Sequence, residues 1–375
     1  MDCTATSNLT GNAVMKRKAA VPDCRETESR KGSIIGNIRS QGSSGWRGRA
    51  GRLAVVLALV SMGASGCSIR KIAINKLGDA LAESGSTFAS DNDPELIKAA
   101  VPFSLKLIES LLAESPRHRG LLYAASSGFT QYAYAFVRQE ADEMESEDLA
   151  KAMEMRTRAR ALYLRARDYG LRGLETKRPG FTAALSADPR QAVKSARQED
   201  VPLLYWTAAS WGSAIGVSKG DMAMVADQTT VEALIDRSLE LDETYDQGAI
   251  HSFLITYEMV RQGAPGDAAE RSRKHFERAM ALSGGFQAGP LVAMAESVSV
   301  AKQDRREFES LLKQALAIDV NVRPEYRMVN LVMQRRARWL LSRIDELILD
   351  PGRMNSGCWF DCLEKRGFPP QGREK

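Results

Sequence analysis

The sequence is short of the residues that do most chemistry. It has five cysteines and three histidines in 375 residues. Cys358 and Cys362 stand as a C-x3-C pair, but a metal site would need two more ligands nearby, and His118, His251 and His275 are all far off. No G-x-G-x-x-G, P-loop, H-E-x-x-H or G-x-S-x-G pattern follows residue 66. These absences leave no catalytic residue, no metal ligand and no cofactor to assign, and an enzyme is not expected. Long hydrophobic runs are missing too. The longest, Leu53 to Met62, is about half of the ~20 residues a membrane-spanning helix requires. Alternating, strand-like patterns are also scarce.

That one apolar run sits in a recognisable setting. Arg47, Arg49 and Arg52 form a basic flank before it, and Ala64-Ser65-Gly66 a small-residue exit after it, directly ahead of Cys67. The build over 47–66 is that of an export signal, and the cysteine after it resembles a bacterial lipobox. The resemblance implies lipidation of the Cys67 thiol, cleavage before it, and a mature chain tethered by its first residue. Ala64 departs from the usual Leu, and an ordinary secretory signal with a chance cysteine is the alternative. Residues 1–46, rich in Gly, Ser and Arg without sustained period, read as a disordered or mis-called leader, with Met15 as another candidate start.

Cleavage changes the charge argument. Ten of the 52 Lys/Arg and four of the 47 Asp/Glu precede Cys67, leaving 42 against 43 and a formal balance of −1 in place of +5. The basic character belongs to the leader, so the electrostatic footprint of a nucleic-acid binder is gone. In an oxidising compartment Cys358 and Cys362 are a candidate disulfide or a pair of idle thiols.

From residue 67 to 350 nearly every strong pattern is helical. Ile69, Ile72, Leu77 and Leu81 fall roughly on one helical face. Asp93-Pro94 offers an N-cap and a first-turn proline for a helix to about Ala113, with Leu96, Ala100, Phe103, Leu107 and Leu111 at helical spacing and Pro102 bending it. Helices are expected at about 117–141 and 147–174, and the acidic run Glu140 to Asp148 reads as a solvated turn. Residues 175–200 interrupt the rhythm and read as a surface insertion. Val201 to Val217 is apolar nearly all round, which marks a buried core helix. The sharper reading is that Tyr205, Trp206 or Trp211 lines an apolar cleft. Asp350-Pro351-Gly352 ends the regular part, and 351–375 reads as a loose tail.

Downstream the chain repeats itself. Ser238-Leu-Glu-Leu-Asp242, Ala279-Met-Ala-Leu-Ser283 and Ala315-Leu-Ala-Ile-Asp319 end three helices alike, at periods of 41 and 36 residues. Tyr245-Asp-Gln-Gly248 and Phe286-Gln-Ala-Gly289 open the helices that follow. Periods of ~20–50 residues belong to solenoids, whose helix pairs each expose an apolar face that only a neighbour covers. The pattern resembles degenerate tetratricopeptide (TPR) repeats. It implies an all-α, solenoid-like array of four TPR-type pairs, 117–141 with 147–174, 201–217 with 229–241, 246–261 with 266–282 and 288–302 with 304–319. Helices at 94–113 and 324–349 would cap the two ends. Glu296-Ser297 echoes the catalytic pair of the superhelical lytic transglycosylases, but the Gly- and Gln-containing motifs of that family are missing, and Glu296 reads as a solvent-facing residue.

The lipobox, the helical pairs, the Tyr205-Trp206…Trp211-Gly212 helix and Leu239-Glu-Leu-Asp-Glu-Thr-Tyr-Asp-Gln-Gly-Ala249, in this order, resemble the TRAP transporter T-component (TatT) family from Cys67 to Leu349, with 175–200 outside the likeness. The resemblance implies a periplasm-facing lipoprotein that forms an oligomer such as a trimer. It further implies docking of the solute-binding subunit of a tripartite ATP-independent periplasmic transporter, and an apolar cleft or pore for a hydrophobic solute. Ser68 after the cysteine lacks the inner-membrane retention signal of an Asp, which favours the outer membrane. The alternative is a TPR-like lipoprotein scaffold for outer-membrane or envelope assembly.

Overall fold

Aspartates start six of the helices among the described residues. Asp93, Asp148, Asp188, Asp221, Asp267 and Asp304 each stand just before a helix, and each carboxylate accepts from one or two of its otherwise unpaired first backbone N–H groups. A computed structural model describes residues 75–80, 85–218 and 220–349. The export signal, Cys67, the leader and the Cys358/Cys362 tail lie outside the described residues.

Within those residues all regular structure is helical. Helix α1 is Pro94–Glu114. Helix α2 begins as Arg119–Ala133, passes through one π turn at Tyr134–Arg138 and ends as Gln139–Met144. Then come α3 (Leu149–Glu175), α4 (Val201–Gly216), α5 (Gln228–Leu241), α6 (Ala249–Tyr257) and α7 (Ala268–Leu282). Helix α8 starts as Gly289–Met294 and also carries a π turn, Ala295–Ser299. Helices α9 (Arg305–Ala317) and α10 (Arg327–Ser342) complete the set. No helix among the described residues is long and apolar enough to cross a membrane.

The four expected pairs form: α2 with α3, α4 with α5, α6 with α7 and α8 with α9. The small residues of the repeat are what let them stack. Ser238, Ala279 and Ala315 are buried, and a Cβ on Gly248 would lie 3.2 Å from the Ala279 Cα, so the end of α7 sits against the turn that opens α6. Between α3 and α4 the approach is closer still. A Cβ on Gly170 would fall 2.1 Å from Thr207 Oγ1, and one on Gly173 2.6 Å from a Leu203 methyl. Three apolar clusters run through the stack, and α10 joins the first to the last. Met328 and Val332 pack with α1 and α2, while Met333, Ala337 and Leu340 pack with α8 and α9. The expected terminal cap therefore also closes the array back onto its beginning. Arg327 Nη1 donates to the Ser90 carbonyl at 2.6 Å, and Arg335 Nη2 to Glu143 at 2.6 Å.

Four local expectations are corrected. Helix α1 buries Ile97, Leu105, Ile108, Leu111 and Leu112, whereas Leu96 (56 %) and Phe103 (74 %) face solvent. The stripe is rotated because the helix carries apolar residues on more than one face, and Leu105 is the one that fits over Gly128 on α2. The run 140–148 is an exposed turn only from Glu145 onward: Gln139–Met144 is helical, Glu140 meets Lys98 at 2.5 Å, and Arg156 meets Asp142 at 2.9 Å and Glu145 at 2.7 Å. Residues 175–200 are no surface insertion either. Short helices Phe181–Ala187 and Pro189–Ala192 and the 3-10 turn Val193–Ser195 bury Phe181, Leu185 and Val193 beside Leu174 and Val201. Leu77, read as apolar-face, is 49 % exposed.

Candidate functional site

Helices α2, α4, α8 and α10 begin near one another and finish near one another, which creates two levels of side chains. The first lies at their N-terminal ends. Tyr123 comes from α2, Tyr205 and Trp206 from α4, Tyr245, Asp246 and Gln247 from the turn before α6, and Tyr326 from the 3-10 turn leading into α10. The rings of Tyr205 and Tyr245 are 5.4 Å apart, and Tyr205 meets Trp206 edge-on at 5.0 Å. Tyr123 lies within reach of the Tyr245 hydroxyl, and Tyr326 donates to Gln247 Oε1. Burial pushes the Tyr205 and Tyr245 phenols well above their ordinary value. Trp206 is half-buried, and its indole N–H has no acceptor among the described residues.

The second level lies some ten residues further along, about 15 Å at the rise of an α-helix. Both π turns meet there. Tyr134 and Arg138 come from the first and Glu296 from the second, and Arg336 of α10 bridges them. Arg336 Nη2 donates to Glu296 Oε1 at 2.5 Å and lies 3.1 Å from Asp142 Oδ2. Tyr134 OH lies 3.8 Å from Met333 Sδ. Burial pushes the Tyr134 and Tyr163 phenols up, and Tyr163 OH, both amide atoms of Gln139 and Arg336 Nη1 have no hydrogen-bond partner among the described residues. Tyr134 approaches Gln139, and Tyr163 approaches Ser213, without reaching hydrogen-bond geometry. Glu296, read as solvent-facing, is instead half of this ion pair, because the π turn rotates it toward α10.

Of the three residues singled out on α4, the structure brings two together. Tyr205 and Trp206 belong to the aromatic level. Trp211, on another side of the helix, donates from Nε1 to Asp227 at 3.1 Å and lies under the Arg167 guanidinium at 4.8 Å, joining two core clusters. Sequence reasoning missed Tyr123, Tyr245, Asp246 and Tyr326 as site residues. Tyr245-Asp-Gln-Gly248 does stand out in the sequence, but only as a repeat opener. Its signal was the aspartate where the sister turn has Gln287. No group of three or more His, Cys, Asp or Glu among the described residues could hold a metal ion.

Comparison with known proteins agrees with this architecture. The family model for the TRAP transporter T-component matches residues 90–348, more than half of the chain and straight through 175–200. A protein of Treponema pallidum (strain Nichols), described only as uncharacterized, is 26 % identical over 304 residues, 76 % of this chain and 94 % of that protein.

Proposed function

This chain belongs to the TRAP transporter T-component family, and from that membership we propose that it is the lipid-anchored, periplasm-facing component that docks a solute-binding subunit. The family supports an accessory role in TRAP transport; the anchor, the partner and the ligand are our reading. Cys67 carries the lipid, and Ser68 behind it sends the protein to the periplasmic side of the outer membrane. The protein acts as a homo-oligomer. The observation that carries the reading is the aromatic level. Four separate segments bring Tyr123, Tyr205, Trp206, Tyr245 and Tyr326 to one end of a helical array. Amphipathic aromatics such as these are the side chains that anchor partners and apolar ligands.

The test is a pull-down of the tagged, full-length protein from its own membranes after mild crosslinking, read by mass spectrometry. A periplasmic solute-binding subunit in near-equal amount is the expected result. Recovery of envelope-assembly proteins without such a subunit would overturn the transport reading. In parallel, Cys67→Ala should move the protein from the membrane to the soluble fraction; continued membrane association would remove the lipid anchor from the account.

A further inference from the structure

Helix α3 carries a basic residue at every seventh position: Lys151, Arg158, Arg165 and Arg172. Seven residues make nearly two helical turns, so the four keep to one face and form a row about 31 Å long. All four are exposed, while Ala159, Tyr163, Ala166 and Gly170 turn the other side of the helix into the core.

The three arginines are mounted on the core beneath them. Each guanidinium lies over an aromatic ring: Arg158 over Tyr132 at 6.0 Å, Arg165 over Phe129 at 5.3 Å and Arg172 over Tyr169 at 5.2 Å. Phe129 and Tyr132 are buried, and Tyr169 stacks on Phe129 at 6.0 Å, so the platforms are fixed. A ring holds a guanidinium by its face and leaves the N–H groups at its edge for another partner. Carboxylates do not neutralise the row. Among the described residues Arg158 and Arg172 form no ion pair, and Arg172 spends one N–H on the Pro116 carbonyl at 3.3 Å. Arg165 lies 3.4 Å from Glu109, which Lys106 (2.6 Å) and Tyr169 (2.7 Å) already hold. The acids along the rim have partners too: Glu154 meets Lys151 at 2.9 Å, and Asp168 meets Arg167 at 2.8 Å.

One end of the row lies beside the point where the described chain begins. Arg172 reaches Pro116, and the hydroxyl of the neighbouring Ser115 is 2.9 Å from Asn75 Oδ1. Asn75 follows Cys67 by eight residues, a reach of at most about 28 Å. We propose that the row rests on anionic lipid headgroups: the phosphates take the free edges of Arg158, Arg165 and Arg172, and α3 lies along the membrane surface. Phosphate oxygens match the planar fork of a guanidinium, and the negative potential of an anionic leaflet attracts clustered basic side chains. The choice of a lipid surface over an acidic protein rests on the proposed anchor at Cys67, which keeps the Arg172 end within reach of a membrane.

The test uses the chain from Ser68 onward, which has neither the apolar run nor the cysteine. All three apolar clusters lie between residues 97 and 348, so this chain keeps the whole core. It is mixed with vesicles of phosphatidylcholine, with or without phosphatidylglycerol, and read by co-sedimentation. Binding should require phosphatidylglycerol and disappear in ~1 M salt, where charges are screened beyond about 3 Å. Replacing Arg158, Arg165 and Arg172 by Gln should weaken it about fivefold for each arginine, on the order of 100-fold together. Ala161→Glu, exposed and one turn from both Arg158 and Arg165, should weaken it without touching a ring. Gln at Lys302, Lys313 and Arg323, which are exposed on other elements, should change nothing. Equal binding to both kinds of vesicle, or wild-type binding by the triple Gln protein or by Ala161→Glu, would overturn the proposal. This chain carries no lipid, so its outcome does not depend on acylation of Cys67; fractionation of the full-length Cys67→Ala protein in the same high salt reads the anchor alone.

Discussion

The two levels of the array are built on the same helices from opposite materials. At the N-terminal ends, aromatic rings from four segments pack together beside a left-handed turn at Asp246 and Gln247. Some ten residues further, arginines and carboxylates compensate one another at and beside two π turns, and α10 is clamped between them. These charges already have their partners, and their work is to hold the helices together. On the proposed reading, recognition and closure are divided between the two ends.

The sharpest way to break that comparison is Arg336→Met. Its side chain is 6 % exposed and serves both Glu296 and Asp142, which are 33 % and 15 % exposed. Removing one partner of a largely buried pair leaves charge without compensation, about 3 kcal/mol here after allowing for the exposure of Glu296. The expected result in urea unfolding is a loss of that size together with easier opening of α10, seen as faster amide exchange. Arg335→Ala is the control: at 39 % exposure, its pairs with Glu140 and Glu143 should be worth no more than about 1 kcal/mol.

Next in size is the contrast between the two tryptophans of α4. Trp211→Ala removes the bond to Asp227 and the platform under Arg167. Full burial of a Trp would make the cost ~3–5 kcal/mol, and for this half-buried one about 2 kcal/mol is expected. Trp206→Ala should cost less in stability and more in ligand response, since its indole N–H is unused. If the two mutants behaved alike, the division between a structural and a recognising tryptophan would not stand.

How much of this was legible in the sequence follows from what each signal depends on. The pairs were legible because small residues such as Ser238, Ala279 and Ala315 recur beside large ones, and packing of neighbours in a solenoid needs little else. The aspartate caps were legible at Asp93 for the same local reason. Closure by α10 was not, because Met328, Val332 and Arg336 find their partners nearly 200 residues upstream, and no local period records that. The α1 stripe failed because two apolar faces compete on one helix and only Gly128 decides between them. At the site, Tyr205 and Trp206 announced themselves by size, but Tyr123, Tyr245 and Tyr326 join them from three other segments.

A third, smaller effect is the pH dependence of stability. The titrating pair lies on α6 and α7, apart from both levels: His251 Nδ1 and His275 Nδ1 are 2.9 Å apart. Burial first, and then His251, hold His275 down at about 4, and burial lowers His251 despite Glu243. Arg278, Glu258 and Arg261 also face the pair. With folded values below the unfolded ones, the unfolded chain binds more protons as the pH falls. Stability is therefore full above about 6.5 and declines toward pH 4, by ~1–2 kcal/mol once the partial exposure of His275 is discounted. His275→Gln should flatten the profile of the unfolding free energy over that window. A wild-type profile already flat there would show that the pair adapts without strain.

The smallest effect is the most informative about the strained turn. Gln247→Gly relieves a left-handed residue, worth about 1–2 kcal/mol. It also forfeits the hydrogen bond from Tyr326, net about 1 kcal/mol, and loosens the unfolded chain by ~0.5–1 kcal/mol. These terms nearly cancel, so a change within about 0.5 kcal/mol is expected from thermal unfolding. Gly284→Ala in the sister turn has nothing to offset it. It forces a Cβ into φ 62°, 3.3 Å from the Phe286 ring, and should cost about 1 kcal/mol or more. Near-neutrality at 247 beside a clear loss at 284 would mean that the first turn holds strain its fold does not need. A loss at 247 as large as that at 284 would mean that the Tyr326 hydrogen bond dominates and the turn is there to dock α10, which would assign this corner to closure after all.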